Sequence, residues 1–408
     1  MPRLKTFGQQ APERAGRRAP LLVLFLTVFI DLLGFGIVIP FLPLFAERLH
    51  TGGAGVGMVL AAYSLMQFIC APLLGRLSDR VGRRPIIMVG LFGSAIGYMI
   101  YGFAWSFGVL LLSRIVHGAC AATVSTAQAY VADTTTESQR AHGMGMIGAA
   151  FGLGFVLGPA LGGLLGHASL RTPAFFAAAL SLANLVFAAF ALPESHVPDR
   201  ASRLDLGEVA GRLMRLPREL RRGTLLRLFT LGFMVTFAFA ALETTFAMMV
   251  PLRYGYGAFG VGALLAFAGT VQAVTQGYLV RRLVGRFGET GLITAGIVMF
   301  AVGLAPLASL GSHGLLIAFL GLVSLGYGLS SPAIASLISK SVARELRGEA
   351  LGTNQSALSL ARIAGPVAGG LAYQLIGPAA PYLGGGAVAL GALLLASGVA
   401  LPSAAARE

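Results

Sequence analysis

The sequence predicts an all-α membrane protein of twelve transmembrane helices, arranged as two pseudo-symmetric six-helix bundles. Three observations predict it. Of the 408 residues 56% are apolar and only 11% charged, and mean hydropathy is +0.79, outside the usual range for soluble domains. Charged breaks leave twelve apolar runs, each close to the 20 or so residues needed to cross about 30 Å of hydrocarbon. Short motifs in the first half recur in the second.

The runs cover approximately 21–45, 56–74, 86–105, 107–132, 143–166, 173–192, 225–250, 261–280, 291–310, 315–338, 351–376 and 379–401. Lipid offers backbone N–H and C=O groups no partners, so runs this long and continuous are helices. Of thirty Lys and Arg, twenty-five fall in seven segments on one side, Arg48, Arg171 and Arg253 lie in loops on the other, and Arg114 and Arg362 lie within helices. Basic short loops stay cytoplasmic, so both termini are expected inside, in a multi-pass protein of the inner (plasma) membrane. The same scatter accounts for the net charge of +14. It forms no aromatic-interleaved basic patch, so no nucleic-acid partner is expected. The first run is too long for a cleaved signal and lacks a small-residue cleavage site. Cys70 and Cys120 fall inside predicted helices and define neither a disulfide framework nor metal-ligand spacing. With no G-x-x-x-x-G-K-[ST] loop, nucleophile triad or metal cluster, the chain is expected to be neither an enzyme nor a cofactor or metal binder.

"GPALGG" at Gly158–Gly163 recurs as "GPVAGG" at Gly365–Gly370, a shift of 207 that also carries Arg140 onto Arg347. "GYLVRRLVGR" at Gly277 repeats Gly75, Leu77, Arg80 and Arg84 at a shift of 202, with Arg281 in place of Asp79. The chain therefore divides into residues 1–192, a cytoplasmic linker 193–223, and residues 224–408. Parallel halves with a site between them at mid-membrane are a transporter architecture. The linker region carries eight basic residues counted through Arg227 and reads as an amphipathic segment on anionic lipid or as a regulatory element.

Two features carry candidate chemistry. In "GRLSDRVGRRP" the arginines alone satisfy topology, but acids add little to topology, so Asp79 points to pairing with Arg80, Arg83 or Arg84, or with a helix N-terminus. The second feature is charge inside the helices: Asp31, Arg114, Glu243 and Arg362. A charge at the bilayer centre costs about 2.5 to 3.5 kcal/mol on insertion scales, which makes such residues functional by default. Asp31 lies thirteen residues past Arg18, roughly 20 Å along a helix, and nine before Pro40, while Glu243 lies eight before Pro251. Each half thus offers one acid and one base. Desolvation favours a protonated carboxyl and a nearby Arg an ionised one, so conformation can load or unload the proton. Alternatively, Asp31 and Arg114 form a structural pair. Gln67, Gln128, Gln272, Gln276, Asn354 and Gln355 line a cavity or bond between helices.

These stretches resemble the major facilitator superfamily over nearly the whole chain, and within it the twelve-helix drug:proton antiporters of the tetracycline and multidrug efflux branch. "GRLSDRVGRRP", with Gly75, Asp79, Arg80, Gly82, Arg83 and Arg84, resembles the loop 2–3 motif, and "LLLSRIVHGACAA" the helix 4 motif. "GLGFVLGPALGG", with Gly154, Gly158, Pro159, Gly162 and Gly163, resembles the antiporter helix 5 motif. "DLLGFGIVIPFLP" and "LPESH" resemble the tetracycline branch, and "ALETTF" the helix 7 acid of multidrug and quinolone pumps. The resemblance implies a monomeric, proton-coupled exporter of amphipathic small molecules working by alternating access. Asp31 and Glu243 would carry protons with Arg114 and Arg362 as charge partners, and the arginine turn would latch the halves together, facing helix 11. The helix 5 glycines serve either tight packing or a pliable seam. His117 replaces the usual Gln, as a hydrogen-bonded helix residue or a proton carrier. The helix 3 and helix 9 acids of tetracycline pumps fall at Gly97 and Phe300, which argues against tetracycline itself. The rival readings are a symporter or uniporter of a sugar, nucleoside or lipid, and a transport-inactive receptor or scaffold.

Overall fold

The computed structural model describes residues 18–195, 223–307, 309, 311–343 and 346–397. The expected tail, most of the linker and the extreme C-terminus lie outside these residues.

Helix α1 (Arg18–Val38) gives way to a 3-10 turn at Ile39–Phe41 and then α2 (Leu42–Arg48). Pro40 and Pro43, which donate no backbone hydrogen bond, sit at that break. There follow α3 (Gly52–Val81), α4 (Arg83–Gly102), α5 (Phe107–Ala119), α6 (Thr123–Thr134), α7 (Glu137–Ala168) and α8 (Thr172–Ala191). After the linker come α9 (Gly223–Tyr254), α10 (Ala258–Val274), a π turn at Thr275–Leu279, α11 (Val280–Leu307), α12 (His313–Lys340), α13 (Arg347–Leu375) and α14 (Ala380–Ser397). No strand occurs among the described residues.

The expected run 107–132 is interrupted: α5 ends at Ala119 with Cys120 as its C-cap, so this cysteine flanks a helix rather than lying within one. Several helices outrun their apolar segments. Helix α3 continues past Leu74 to Val81, and α7 begins at Glu137 rather than Gly143; a helix leaving the hydrocarbon still satisfies its own backbone. Among the described residues, ten stretches are long and apolar enough to cross a membrane. One of them, Ala258–Leu307, is 50 residues long and turns at Gly288, where φ is 66° and ψ 173°. Helix α13 is 29 residues long but more polar.

The buried core separates by sequence. One cluster draws only on residues between Leu225 and Ala396. The other two draw on residues between Leu24 and Leu192, with Met248 the single later contributor. Packing partners repeat as well: α1 lies on α7 and α8 as α9 lies on α13 and α14, and α4 lies on α5 and α8 as α11 lies on α12 and α14. Between the two sets, α3 packs on α13 and α7 on α10.

Glycine explains the closeness of these contacts. A β-carbon built on Gly158 would lie 2.6 Å from the Gly36 backbone, and one on Gly154 would lie 2.9 Å from the Leu32 Cβ. Gly162 meets the Ile37 carbonyl in the same way, so one face of the helix 5 motif fits α7 onto α1. The opposite face reaches the other set of helices: Gly262 of α10 is 2.5 Å from the Pro159 carbonyl and 2.8 Å from the Gly163 Cα, measured from its would-be β-carbon. The repeat at a shift of 207 does the same work. Gly365 and Gly369 of α13 meet Phe237 and Ala241 of α9, while Pro366 and Gly370 meet Gly57 and Gly53 of α3. Close packing on α1 and close packing on the second set of helices therefore coincide on two faces of one helix.

Candidate functional site

The face carrying the α3–α4 turn is called here the basic face, and its opposite the far face. Gly82, with φ 104° and ψ 160°, makes the turn. The Arg83 side chain, 9% exposed, lies 2.5 Å from Asp79 Oδ1 and 2.8 Å from Asp133 Oδ2, and its Nη1 donates to Ser78 Oγ at 2.6 Å. Thus Asp79 pairs with Arg83, among the three arginines the sequence left open. Arg84 instead donates to the Ala189 carbonyl. The Glu194 carboxylate accepts from the backbone N–H groups of Arg83 and Arg84 at 2.8 and 3.2 Å, placing negative charge at the N-terminus of α4. Sequence analysis gave Glu194 no role. Gly82→Ala would strain the backbone and meet the Glu194 carboxylate. The expected result is a loss of about 1 to 3 kcal/mol, read as a lower unfolding temperature in detergent, with no loss for Gly75→Ala, which faces open space inside a helix.

The second set of helices holds a counterpart with reversed signs. Gly288, with φ 66°, precedes Glu289, whose carboxylate accepts from Lys340 and, at 3.2 Å, from Ser336 Oγ. Gly82 and Arg83 map onto Gly288 and Glu289 at a shift of 206, and Asp133 onto Lys340 at 207. The direct repeat at 202 hides this because four residues are added between Gly277 and Gly288.

The charges within the helices are separate from one another. Asp31, half-buried, accepts hydrogen bonds from Ser94 Oγ at 3.3 Å and from Thr123. Arg114, 2% exposed, lies 5.8 and 5.7 Å from the ring centroids of Tyr98 and Tyr101. Its Nε reaches Ser113 Oγ at 3.2 Å and its Nη2 has no partner. The alternative of a structural Asp31–Arg114 pair is not realised: among the described residues no carboxylate is in ion-pair contact with Arg114, and cation–π contacts support it instead. Glu243 is half-buried and Arg362 exposed. The charge of Arg362 acts on Glu243 and on Tyr63 of α3, so the neighbour of Glu243 comes from α13, not from its own helix.

His117, 3% exposed, is ringed by Tyr98, Tyr63 and Phe35 at centroid distances of 4.6, 4.9 and 6.2 Å, and its Nδ1 has no partner. It is an aromatic packing element beside a buried guanidinium, not the hydrogen-bonded residue expected. A β-carbon on Gly97 would lie 2.7 Å from the His117 Cβ, and Phe300 is fully buried against Tyr327. Among the amides, Gln67 Nε2 donates to the Ala121 carbonyl at the α5–α6 break, 3.3 Å away. Gln272 is half-buried, Asn354 is buried with Oδ1 unpartnered, and Gln128, Gln276 and Gln355 are exposed.

The cleft between the two sets opens toward the basic face. In the far half, α3 meets α13 backbone to backbone at Gly53, Gly57, Pro366 and Gly370, and Gln374 Oε1 accepts from the Ala54 N–H at 3.0 Å. In the basic half, β-carbons on Gly75 of α3, Gly145 and Gly148 of α7, Gly277 of the π turn, and Gly348 and Gly352 of α13 would meet nothing within 4 Å. Buried residues of α3 agree: all but Ser78 lie between Gly53 and Ala61. At the start of the arginine turn, Gly75 thus has no part of α13 within 4 Å of its would-be β-carbon.

Comparison with known proteins matches this arrangement to one family. The sequence profile of the Major Facilitator Superfamily matches residues 24–289 and again 277–407. The class C tetracycline resistance protein of Escherichia coli is 35% identical over 85% of this chain and 88% of its own length. Multidrug resistance protein 2 of Bacillus subtilis (strain 168) is 30% identical over 87% of this chain and 88% of its own. The crystal structure of the human organic anion transporter MFSD10 (TETRAN) superposes with a TM-score of 0.70 at 28% identity, covering 95% of this chain and all of that one. An all-helical membrane fold with a glycine-sealed cleft, a family profile over nearly the whole chain and these relatives agree: the chain is a transporter that belongs to the Major Facilitator Superfamily, in the branch of the tetracycline and multidrug resistance proteins.

Proposed function

We propose that the protein is a proton-coupled antiporter that exports amphipathic small molecules by alternating access. It acts as a monomer in the inner membrane, with twelve spanning helices in two bundles, residues 1–192 and 224–408, and with its basic face and both termini in the cytoplasm. The stretch 258–307, divided at Gly288 within α11, supplies two of the twelve spans, and α13 supplies another. The observation that carries this reading is the placement of Asp31 and Glu243, one acid per half, both half-buried and neither in contact with a guanidinium among the described residues. A carboxyl so placed is poised between charged and neutral states. Proton and substrate relieve the same charge, so they bind as alternatives, and proton entry drives export.

The test is compound accumulation by reconstituted vesicles under an imposed pH gradient, across a panel of amphipathic drugs. Wild type is expected to concentrate some members, and Asp31→Asn to lose most of that. Accumulation without any gradient dependence would favour a uniporter, and movement of no compound would favour a receptor or scaffold.

The arginine turn fits a latch that closes the basic face in the opposite conformation. Exposed ion pairs are worth about 0 to 1 kcal/mol each, which suits a contact broken in every cycle. Asp79→Asn is expected to shift the population toward the open basic face, raising the labelling rate of cysteines placed along the basic half of α3. Unaltered labelling would refute the latch.

A further inference from the structure

The span that runs from α10 into α11 carries one residue more than its counterpart α3. The seam fixes the correspondence. The Pro366 carbonyl meets a would-be β-carbon on Gly57, and the Pro159 carbonyl lies 2.5 Å from one on Gly262. Pro159 and Pro366 are equivalent at the shift of 207, so Gly57 and Gly262 are equivalent too. From Gly57 to the turn glycine Gly82 is 25 residues, but from Gly262 to Gly288 is 26. Helix α3 is α-helical throughout, whereas the later span contains the π turn at Thr275–Leu279, where the Val280 N–H donates to the Thr275 carbonyl. Such a turn absorbs a single extra residue within an α-helix.

The side chains agree with an insertion. Val261 and Ala268 pack on the core of the second set, and Thr275, seven residues further on, is fully buried. A plain α-helix would bring Arg282 to that side next. Instead Val280, Leu283 and Val284 take the inward places, while Arg282 and Arg286 stay exposed over the rings of Tyr278 and Phe287.

The turn also stands where the seam with α7 opens. Toward the far face, a β-carbon on Gly269 would lie 2.6 Å from the Phe155 carbonyl, and one on Gly152 would lie 3.6 Å from the Ala273 Cβ. From the turn onward, Gly277 and Gly285 on one side and Gly148 and Gly145 on the other meet nothing within 4 Å. Thr275 itself is anchored, since a β-carbon on Gly328 of α12 would lie 3.0 Å from its Cβ and its Oγ1 donates to the Val271 carbonyl at 2.6 Å. The first set has a weak point at the same level. Pro72 lies 15 residues past Gly57, as Gly277 lies 15 past Gly262, and a proline inside a helix removes one backbone hydrogen bond.

We propose that Thr275–Leu279 is a hinge, at which residues 280–287 bend onto Gly145 and Gly148 of α7 to close the basic face. This rests on the alternating-access reading above and adds the joint at which the second set bends. Sharp bends concentrate at π turns and prolines because the hydrogen-bond ladder is broken there. With Thr275 fixed on α12 and the glycines beyond it facing open space, movement is confined to the basic end of the span.

The test is the distance between spin labels at His142→Cys of α7 and Arg286→Cys of α11, both exposed positions, in the full chain carrying Cys70→Ser and Cys120→Ser. Gly370→Val, which disfavours closure at the far face, is the background that populates the closed basic face. There a shorter distance is expected to appear, and deletion of Gly277 is expected to reduce its population about tenfold with the unfolding temperature retained. Inserting one alanine after Leu279 of the deleted chain rebuilds a five-residue turn and is expected to restore the shorter distance. Deletion of Ala266 instead turns one end of a plain α-helix against the other by about 100° and is expected to unfold the protein. A shorter distance that survives deletion of Gly277 overturns the hinge and leaves the exporter standing. Unfolding caused by that deletion, or failure of the alanine to restore closure, overturns the hinge as well. If Gly370→Val gives no shorter distance at all, the halves do not alternate, and the exporter reading falls together with the hinge.

Discussion

Glu243→Gln is expected to abolish accumulation against a pH gradient while leaving substrate exchange between equal pools intact. Glutamine reproduces the shape of a protonated glutamic acid, so both conformations remain accessible, but it can neither take up nor release a proton. With one proton carrier removed, a gradient of one pH unit no longer contributes its share of driving force, about 1.4 kcal/mol per proton. Loss of exchange even at saturating substrate, together with loss of accumulation, would show that Glu243 holds the fold and not the proton. The position supports the coupling role: Glu243 is half-buried, has no hydrogen bond among the described residues, and has Arg362 close enough to act on its charge. Asp31 differs, since Ser94 and Thr123 hold it, and Asp31→Asn is expected to impair binding along with coupling.

The second large effect is expected at the far seam. A β-carbon on Gly370 would strike the Gly53 carbonyl, and the Gly57 Cα would lie 3.3 Å from it. Backbone on both sides cannot give way as a flexible side chain would. Gly370→Val therefore penalises the conformation closed at the far face by about 1 to 3 kcal/mol, a shift of about 5- to 150-fold in the conformational equilibrium. The expected result is a collapse of transport, with cysteines near Gln374 becoming reactive from the far side. Gly384→Val serves as control, because its β-carbon would meet nothing within 4 Å. Equal loss in both variants would indicate general misfolding and remove the seam from the account.

Much of this was legible in the sequence because membrane insertion is a one-dimensional constraint. Apolar run length marked the helices to within a turn or two, and the glycines of "GPALGG" and "GPVAGG" announced close packing at equivalent places. What escaped depends on three-dimensional partners. Glu194 lies 110 residues beyond the Arg84 N–H it accepts, and no local pattern connects them. The reversed pair Glu289–Lys340 was hidden by added residues that displace the repeat register. Arg114 keeps its motif position, yet only the fold shows that aromatic faces, not Asp31, surround it. The breaks at Ile39–Phe41 and Cys120–Ala122 interrupt apolar runs without changing their hydropathy, so composition does not mark them.

The most direct test of proton and substrate competing for one carboxylate is proton release on binding. Purified protein in weakly buffered detergent solution receives a saturating substrate while pH is recorded. The account predicts release from wild type, reduced by about one proton per molecule in Glu243→Gln at equal occupancy. Binding without release by wild type, or undiminished release from Asp31→Asn/Glu243→Gln, would contradict it.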